Sequence, residues 1–310
     1  MTEAGKGELS RRRLLGAAAV GAGVAATGGL RAPAWAAPPS ATEARYDQLD
    51  GVPLHYWRWK DGSAGQRTEH RTFASTSAFH ERLLVWRRDL ADLASRFGGL
   101  TGMDHIVTAG TFVDKPGQHG LGQAFDLDQV RWANGAITPY WREHASPHGA
   151  VVRRYLALDA VCRRHFRWVL DGRYNAAHED HLHLDFGGGP VGLDRASRSE
   201  TVFVQQVLNH HQGAGLAQDG VWGGRTQAAF EESCRRLGVT GAPWAGDAAA
   251  WRHWLFRAAS CGFADRPFDA APADAVDPLA ALLQELDRAL EPIIGPVQDA
   301  LTELLGLLDP

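Results

Sequence analysis

His178-Glu179-Asp180-His181-Leu182-His183-Leu184-Asp185-Phe186 can be read in two ways, and the choice decides the fold. As a strand it turns His181, His183 and Asp185 to one face and Leu182, Leu184 and Phe186 to the other. As a helix it sets His181 and His183 about 200° apart and scatters both groups. The strand reading makes both histidines usable at one place, on the polar side of a sheet whose other side is apolar. Gly187-Gly188-Gly189-Pro190 follows at once and is the strongest break in the chain, so the unit ends there.

A matching stretch lies upstream, Gly117-Gln118-His119-Gly120-Leu121-Gly122-Gln123-Ala124-Phe125-Asp126-Leu127-Asp128. If residues 124 to 128 form a strand, Ala124, Asp126 and Asp128 share one face, and Phe125 and Leu127 share the other. His119 then comes from the preceding loop, where Gly120 and Gly122 let the backbone fold tightly enough to bring the imidazole near the carboxylate. Two such strands side by side predict a sheet whose open face gathers His119, Asp126 and His183.

Those residue types fit zinc. The ion takes His nitrogen and carboxylate oxygen, and a catalytic site keeps three protein ligands with a fourth position open to water. Zinc so held lowers the pKa of water to about 7 and polarises a carbonyl, which leaves a nearby carboxylate to take the proton and return it to a leaving amine. Asp128 and Asp185 flank the site and are candidates to orient a ligand imidazole through its other ring nitrogen, with His178 a softer candidate for the same task. Trp132 and Trp168 read as core or rim.

Around these motifs the pattern is mixed α+β. Phe79, Leu83, Trp86, Leu90 and Leu93 give helical periodicity from Ser77 to Phe97, ended by Gly98-Gly99. A short strand is expected from Ile106 to Phe112, a turn at Asp114-Lys115-Pro116-Gly117 and a second helix from Val151 to Phe166. The expected architecture is a small antiparallel sheet with flanking helices carrying the zinc site, over residues 65–190, followed by a small all-α module over 200–262. Residues 37–64 read as linker and extension, and Asp265 to Asp274 as a second, Pro- and Ala-rich linker.

The first 36 residues read as a targeting segment. Ser10-Arg11-Arg12-Arg13-Leu14-Leu15 precedes an uncharged stretch from Gly16 to Leu30, and Ala34-Trp35-Ala36 supplies small residues for cleavage. The paired arginines resemble the twin-arginine signal, whose route exports folded proteins. The Gly- and Ala-rich stretch falls short of the ~20 strongly apolar residues that a membrane span needs, so no span is expected after leader removal. The formal net charge of −4 carries no basic excess for phosphate neutralisation, which argues against nucleic acid as partner. Cys162, Cys234 and Cys261 are too few and too dispersed for a thiolate zinc site. An oxidising exterior would permit a Cys234–Cys261 pair, and sequence alone does not establish one.

His119 followed seven residues later by Asp126, with Gly122 and Ala124 between, and then the Asp180–His183 segment, resembles the zinc DD-peptidases and related cell-wall endopeptidases of the D-alanyl-D-alanine carboxypeptidase superfamily. The extensin-like carboxy-terminal domain, with its His- and Asp-rich closing strand, is the nearest likeness. The resemblance covers roughly residues 65–190. It implies that His119, Asp126 and His183 hold zinc, that Asp180 is the general base and acid with Glu179 as its rival, and that His181 helps bind the oxyanion. The family motif usually opens with Ser two residues before the first His, and an Arg often lies upstream. This chain has Gly117 at the first position and offers Lys115 for the second.

Further on, Val204-Gln205-Gln206-Val207-Leu208 and Asp219-Gly220-Val221-Trp222-Gly223-Gly224-Arg225-Thr226-Gln227-Ala228-Ala229-Phe230 resemble the three-helix peptidoglycan-binding module. Its third helix is expected over Ala248–Ala258, and Thr226 is expected to cap or open the second. His210-His211 reads as surface. The tail over 277–310 carries an apolar stripe through Leu279, Leu283, Leu286, Leu290, Ile293 and Val297, cut by Pro292, Gly295 and Pro296, and reads as two short amphipathic helices.

The expectation that follows is an exported zinc peptidase acting on an amide bond of peptidoglycan, in the cell envelope or outside the cell. Two alternatives stand beside it. A non-catalytic wall-binding protein with a structural zinc needs only the three ligands, whereas hydrolysis also needs Asp180 or Glu179. A phosphoesterase would need further His and Asp clusters for a second metal. The choice between endo- and exopeptidase, and the oligomeric state, are left open by the sequence.

Overall fold

A computed structural model describes residues 43–57, 68–187, 189–272, 277 and 280. The leader, part of the 37–64 segment and almost all of the 277–310 tail lie outside the described residues.

Among the described residues, ten strands and five helices make a mixed α+β fold, as the patterning predicts. The strands are β1 (Glu43–Tyr46), β2 (Gln48–Leu49), β3 (Val52–Tyr56), β4 (Glu69–His70), β5 (Phe73–Thr76), β6 (Met103–Gly110), β7 (Ala124–Trp132), β8 (Gly135–Ile137), β9 (Trp168–Leu170) and β10 (Leu182–Asp185). The helices are α1 (Ser77–Gly98), α2 (Gly149–His165), α3 (Arg198–Gln212), α4 (Gly224–Leu237) and α5 (Ala248–Phe263). The main sheet runs β2-β3-β6-β7-β10-β9, with β4 paired to β3 and β8 to β7, while β1 and β5 form a separate pair. Every pairing is antiparallel except β3 with β6.

α1 shows how closely local sequence sets an element. Thr76 caps its start by accepting from the Phe79 amide at 3.3 Å, and Gly99 ends it in the left-handed region at φ 62°. Its stripe of Phe79, Leu83, Trp86, Leu90 and Leu93 is fully buried, each side chain contributing about 1.5–3 kcal/mol of apolar transfer. On the same side of the sheet lie Leu54, Ile106, Phe125, Leu127, Leu182 and Leu184, all 0% exposed. The alternate residues of β7 and β10 therefore face away from the helices.

The N-terminal stretch read as linker and extension also enters the sheet: β3 hydrogen-bonds β6 in parallel, with Leu54 opposite Ile106. α5 packs on α2 and α1, and α3 packs on α2, so the helices after residue 197 share one apolar core with the sheet. Charge crosses the same contact. Arg164 of α2, 0% exposed, donates to Asp89 of α1 at 2.8 Å and to both oxygens of Asp277 at 2.8 and 2.9 Å.

Several local expectations are corrected. His211 is buried, not surface: its Nδ1 lies 2.9 Å from the Arg266 carbonyl and its ring stacks on Phe268 at 4.9 Å. That contact also orders part of the segment read as a linker, where Phe268–Ala270 forms a 3₁₀ turn. α4 starts at Gly224 with no side-chain cap, and Thr226 is instead buried beside Gln205. Cys162, Cys234 and Cys261 are all buried free thiols, so no Cys234–Cys261 bridge forms. Among the described residues no helix is long and apolar enough to cross a membrane.

Candidate metal centre

The loop between β6 and β7 delivers His119 to the polar face of the sheet. A Cβ at Gly120 would collide with the Lys115 carbonyl, and one at Gly122, where φ is +65°, would meet the Thr76 amide at 3.2 Å. Only glycine lets the loop fold this tightly. The His119 ring is 5% exposed, and its Nδ1–H donates to the Thr111 carbonyl at 2.5 Å, just past the end of β6.

Asp126 and His183 come from neighbouring strands. They are direct Cα partners in the antiparallel β7/β10 ladder, so both side chains rise from one spot on the polar face. His183 Nδ1 lies 2.9 Å from Asp126 Oδ1, His119 Nε2 lies 3.1 Å from the same oxygen, and the two nitrogens are 3.3 Å apart. His119, Asp126 and His183 form the metal-competent group among the described residues.

The outer bonds of the two imidazoles fix what the inner atoms offer. His119 gives its Nδ1–H to a backbone carbonyl, which leaves Nε2 with a bare lone pair in the neutral ring. His183 Nε2 lies 2.9 Å from Asp185 Oδ2, so it is the protonated nitrogen and Nδ1 carries the lone pair. Asp185 is held in turn by the Gly187 amide, which donates to Oδ1 at 2.7 Å. Three electron-pair donors thus converge, an arrangement that could hold a cation among them. Tetrahedral zinc with bonds of about 2.1 Å sets its ligand atoms about 3.4 Å apart, close to the triangle formed here. The donor set of two nitrogens and one oxygen suits that ion.

The titration of the group agrees. Burial pushes the Asp126 carboxyl up, but hydrogen bonds from His119 and His183, with the charge of His119 and His181, outweigh burial and hold it well below the usual carboxylate range. Burial favours neutral His183, yet Asp126 and Asp185 prevail and bring it up to about 9. A proton can fill the role of a cation among these donors.

The other expected residues take distinct places. His181 sits just before β10, with Nε2 3.7 Å from Asp126 Oδ1 and Nδ1 2.8 Å from Asp180 Oδ1. The Asp180 side chain remains 45% exposed at the rim. Glu179 is turned to Arg142, which donates to it at 2.5 Å. The His178 ring lies 5.2 Å from that of His181 and 5.8 Å from that of His183. Burial, followed by the two neighbouring imidazoles, brings its pKa down to about 4, so it is neutral at pH 7. Lys115 is exposed, and Trp132 is core.

Two contributors carry no advance signal in the motifs. The Thr111 carbonyl orients His119 as a backbone group, whatever its side chain. Tyr140, in a 3₁₀ turn over Pro139–Trp141 packed on β7, lies 4.0 Å from the Trp57 ring. Burial, then the Asp180 and Asp128 carboxylates, push its hydroxyl up to about 12, which keeps it a neutral donor beside the rim.

A family model described as "Extensin-like protein C-terminus" matches residues 107–191, the stretch that runs from β6 to just past β10 and holds all three candidate ligands with Asp180 and His181. No curated protein and no solved structure matches the chain.

Proposed function

We propose that His119, Asp126 and His183 hold zinc in an exported peptidase that cleaves an amide bond in the peptide part of bacterial peptidoglycan. The observation that carries the reading is the convergence of three lone pairs whose outer nitrogens are already committed, beside a carboxylate at the rim. Bound there, zinc supplies a Lewis acid and makes water acidic enough to ionise near neutral pH.

The chain's own residues supply the rest. Asp185 and the Thr111 carbonyl fix the two imidazoles, so no reorganisation is needed at the moment of reaction. Asp180, accessible and bonded through one oxygen to His181, takes the proton of the attacking water and returns it to the leaving nitrogen. Glu179 is the weaker candidate, because its carboxylate is engaged by Arg142. His181 presents its Nε2 edge toward the ligand group, where oxygen charge develops as the carbonyl is attacked. The leader read in residues 1–36 would route the folded chain to the compartment where this substrate lies. Helices α3 to α5, as a wall-binding module packed on the peptidase, would hold it near its polymer.

The test is peptide release from purified peptidoglycan by the mature chain and by Asp180→Ala. Release by the parent and its loss in a variant that keeps its metal support the peptidase. A metal-loaded parent that releases nothing supports the non-catalytic wall-binding alternative instead.

A further inference from the structure

The loop that leads into β10 carries a further imidazole to the rim of the ligand group, and its backbone is held from two sides. Asp171, fully buried, accepts from the amides of Arg173 at 3.1 Å and Tyr174 at 2.9 Å. Arg198, the first residue of α3, donates to the Tyr174 carbonyl at 3.2 Å and to the Asp219 carbonyl at 2.9 Å, which ties the loop to the helices after residue 197. A 3₁₀ turn over Ala176–His178 follows, and it sets the His178 ring 5.2 Å from that of His181 and 5.8 Å from that of His183.

The Asn175 carboxamide fixes what His178 offers. Its Oδ1 accepts from the Ala177 amide at 3.0 Å, which identifies that atom as the oxygen, and the same atom lies 2.7 Å from His178 Nδ1. Two acceptors do not share a hydrogen bond, so Nδ1 carries the proton and Nε2 of the neutral ring carries the lone pair. No donor among the described residues meets that lone pair. It is not spent on orienting the ligands, because the outer nitrogen of His119 is taken by the Thr111 carbonyl and that of His183 by Asp185. Nor does His178 join the group whose ligand atoms lie within 4.8 Å of one another.

We propose that His178 is a substrate-binding residue whose Nε2 accepts a hydrogen bond from a backbone N–H of the peptide lying across the metal centre. The inference deepens the peptidase reading and rests on it for the class of ligand. A peptide that presents a carbonyl oxygen to a metal carries N–H groups on either side, and these need acceptors once water is displaced. Of the neighbouring groups, Glu179 is engaged by Arg142, and Asp180 is bonded to His181 and assigned to the travelling proton. His178 Nε2 is the acceptor left over. Because its loop and its tautomer are already fixed, little side-chain freedom is lost when the peptide binds.

The experiment is calorimetry of the zinc-loaded full mature chain, carrying Asp180→Ala so that no cleavage intervenes, with a soluble stem peptide of peptidoglycan and with analogues in which one amide N–H at a time is replaced by ester oxygen. One analogue should bind about 2–10-fold more weakly than the peptide, the size of a single neutral hydrogen bond, and that difference should disappear when His178→Phe is added. Asn175→Ala, which frees the ring to change tautomer without removing it, should shrink the same difference. Zinc affinity, measured by competition with a chelator, should be unchanged in His178→Phe. Differences that all survive His178→Phe would overturn the proposal, and so would a tenfold fall in zinc affinity, which would make His178 a ligand. A difference that depends on His178, in a chain whose parent form releases no peptide, keeps the binding role and removes the peptidase. Release by the parent with no such difference does the reverse, and a chain that neither binds nor releases the peptide contradicts both.

Discussion

Asp126 and His183 face each other as direct partners across the β7/β10 ladder, with Oδ1 and Nδ1 2.9 Å apart. Backbone hydrogen bonds of the sheet therefore fix the spacing of two of the three candidate ligands, and only His119 depends on a loop. A site built on strands is positioned more closely than one built on loops alone.

Asp185→Ala tests how far this pre-organisation extends. The substitution removes the acceptor of His183 Nε2–H and frees the ring to rotate or change tautomer. Zinc affinity, measured by competition with a chelator, should fall about 10–100-fold while the fold persists. Unchanged affinity would mean that β10 alone orients the ring.

Asp180 and Glu179 separate by their partners. Asp180→Ala should keep zinc and lower the rate of peptide release by about 10²–10⁴-fold. Glu179→Gln should leave the rate within a few-fold, since it disturbs an exposed pair with Arg142. The reverse ranking in a single-turnover assay would transfer the base to Glu179.

Arg164→Met tests the polar contact between α1, α2 and the segment at Asp277. It strands Asp89, 1% exposed, and Asp277, 8% exposed by side chain, without their shared guanidinium. Breaking a buried pair on one side costs about 3–5 kcal/mol, readable by denaturant unfolding. A loss below 1 kcal/mol would show that His165 and solvent already satisfy Asp89.

The buried His211 predicts a pH dependence of stability. Burial brings its pKa down from 6.5 to about 4 in the folded chain. Below pH 6.5 the unfolded chain binds a proton that the folded chain refuses, so the stability it contributes is complete above 6.5 and drains away as pH falls toward 4. At about 1.4 kcal/mol per pH unit, the loss at pH 5 is about 2 kcal/mol. Denaturant unfolding at pH 7 and 5 should show a loss smaller by that amount in His211→Gln than in the parent. Equal losses would contradict the burial of this ring as the cause.

The strands at 124 and 182 are legible in sequence because their polar and apolar residues alternate with the period of a sheet, and both histidine and aspartate fall on the polar phase. The helix from Ser77 is legible because its stripe, cap and closing glycine agree. What escapes the sequence is held by backbone groups or by distant partners. The Thr111 carbonyl orients His119 without any side-chain signature. β3 joins the sheet through a parallel pairing with β6, a non-local contact that no short pattern announces. His211 looks unpartnered because its acceptor is the carbonyl of Arg266, 55 residues away.

The most direct test of the metal centre is anomalous diffraction at the zinc edge from crystals grown with Zn²⁺. A peak is expected about 2.0–2.2 Å from His119 Nε2, His183 Nδ1 and Asp126 Oδ1 together, with a fourth position facing Asp180. A crystal with no peak among these three atoms, or with zinc bound through other residues in their place, would contradict it.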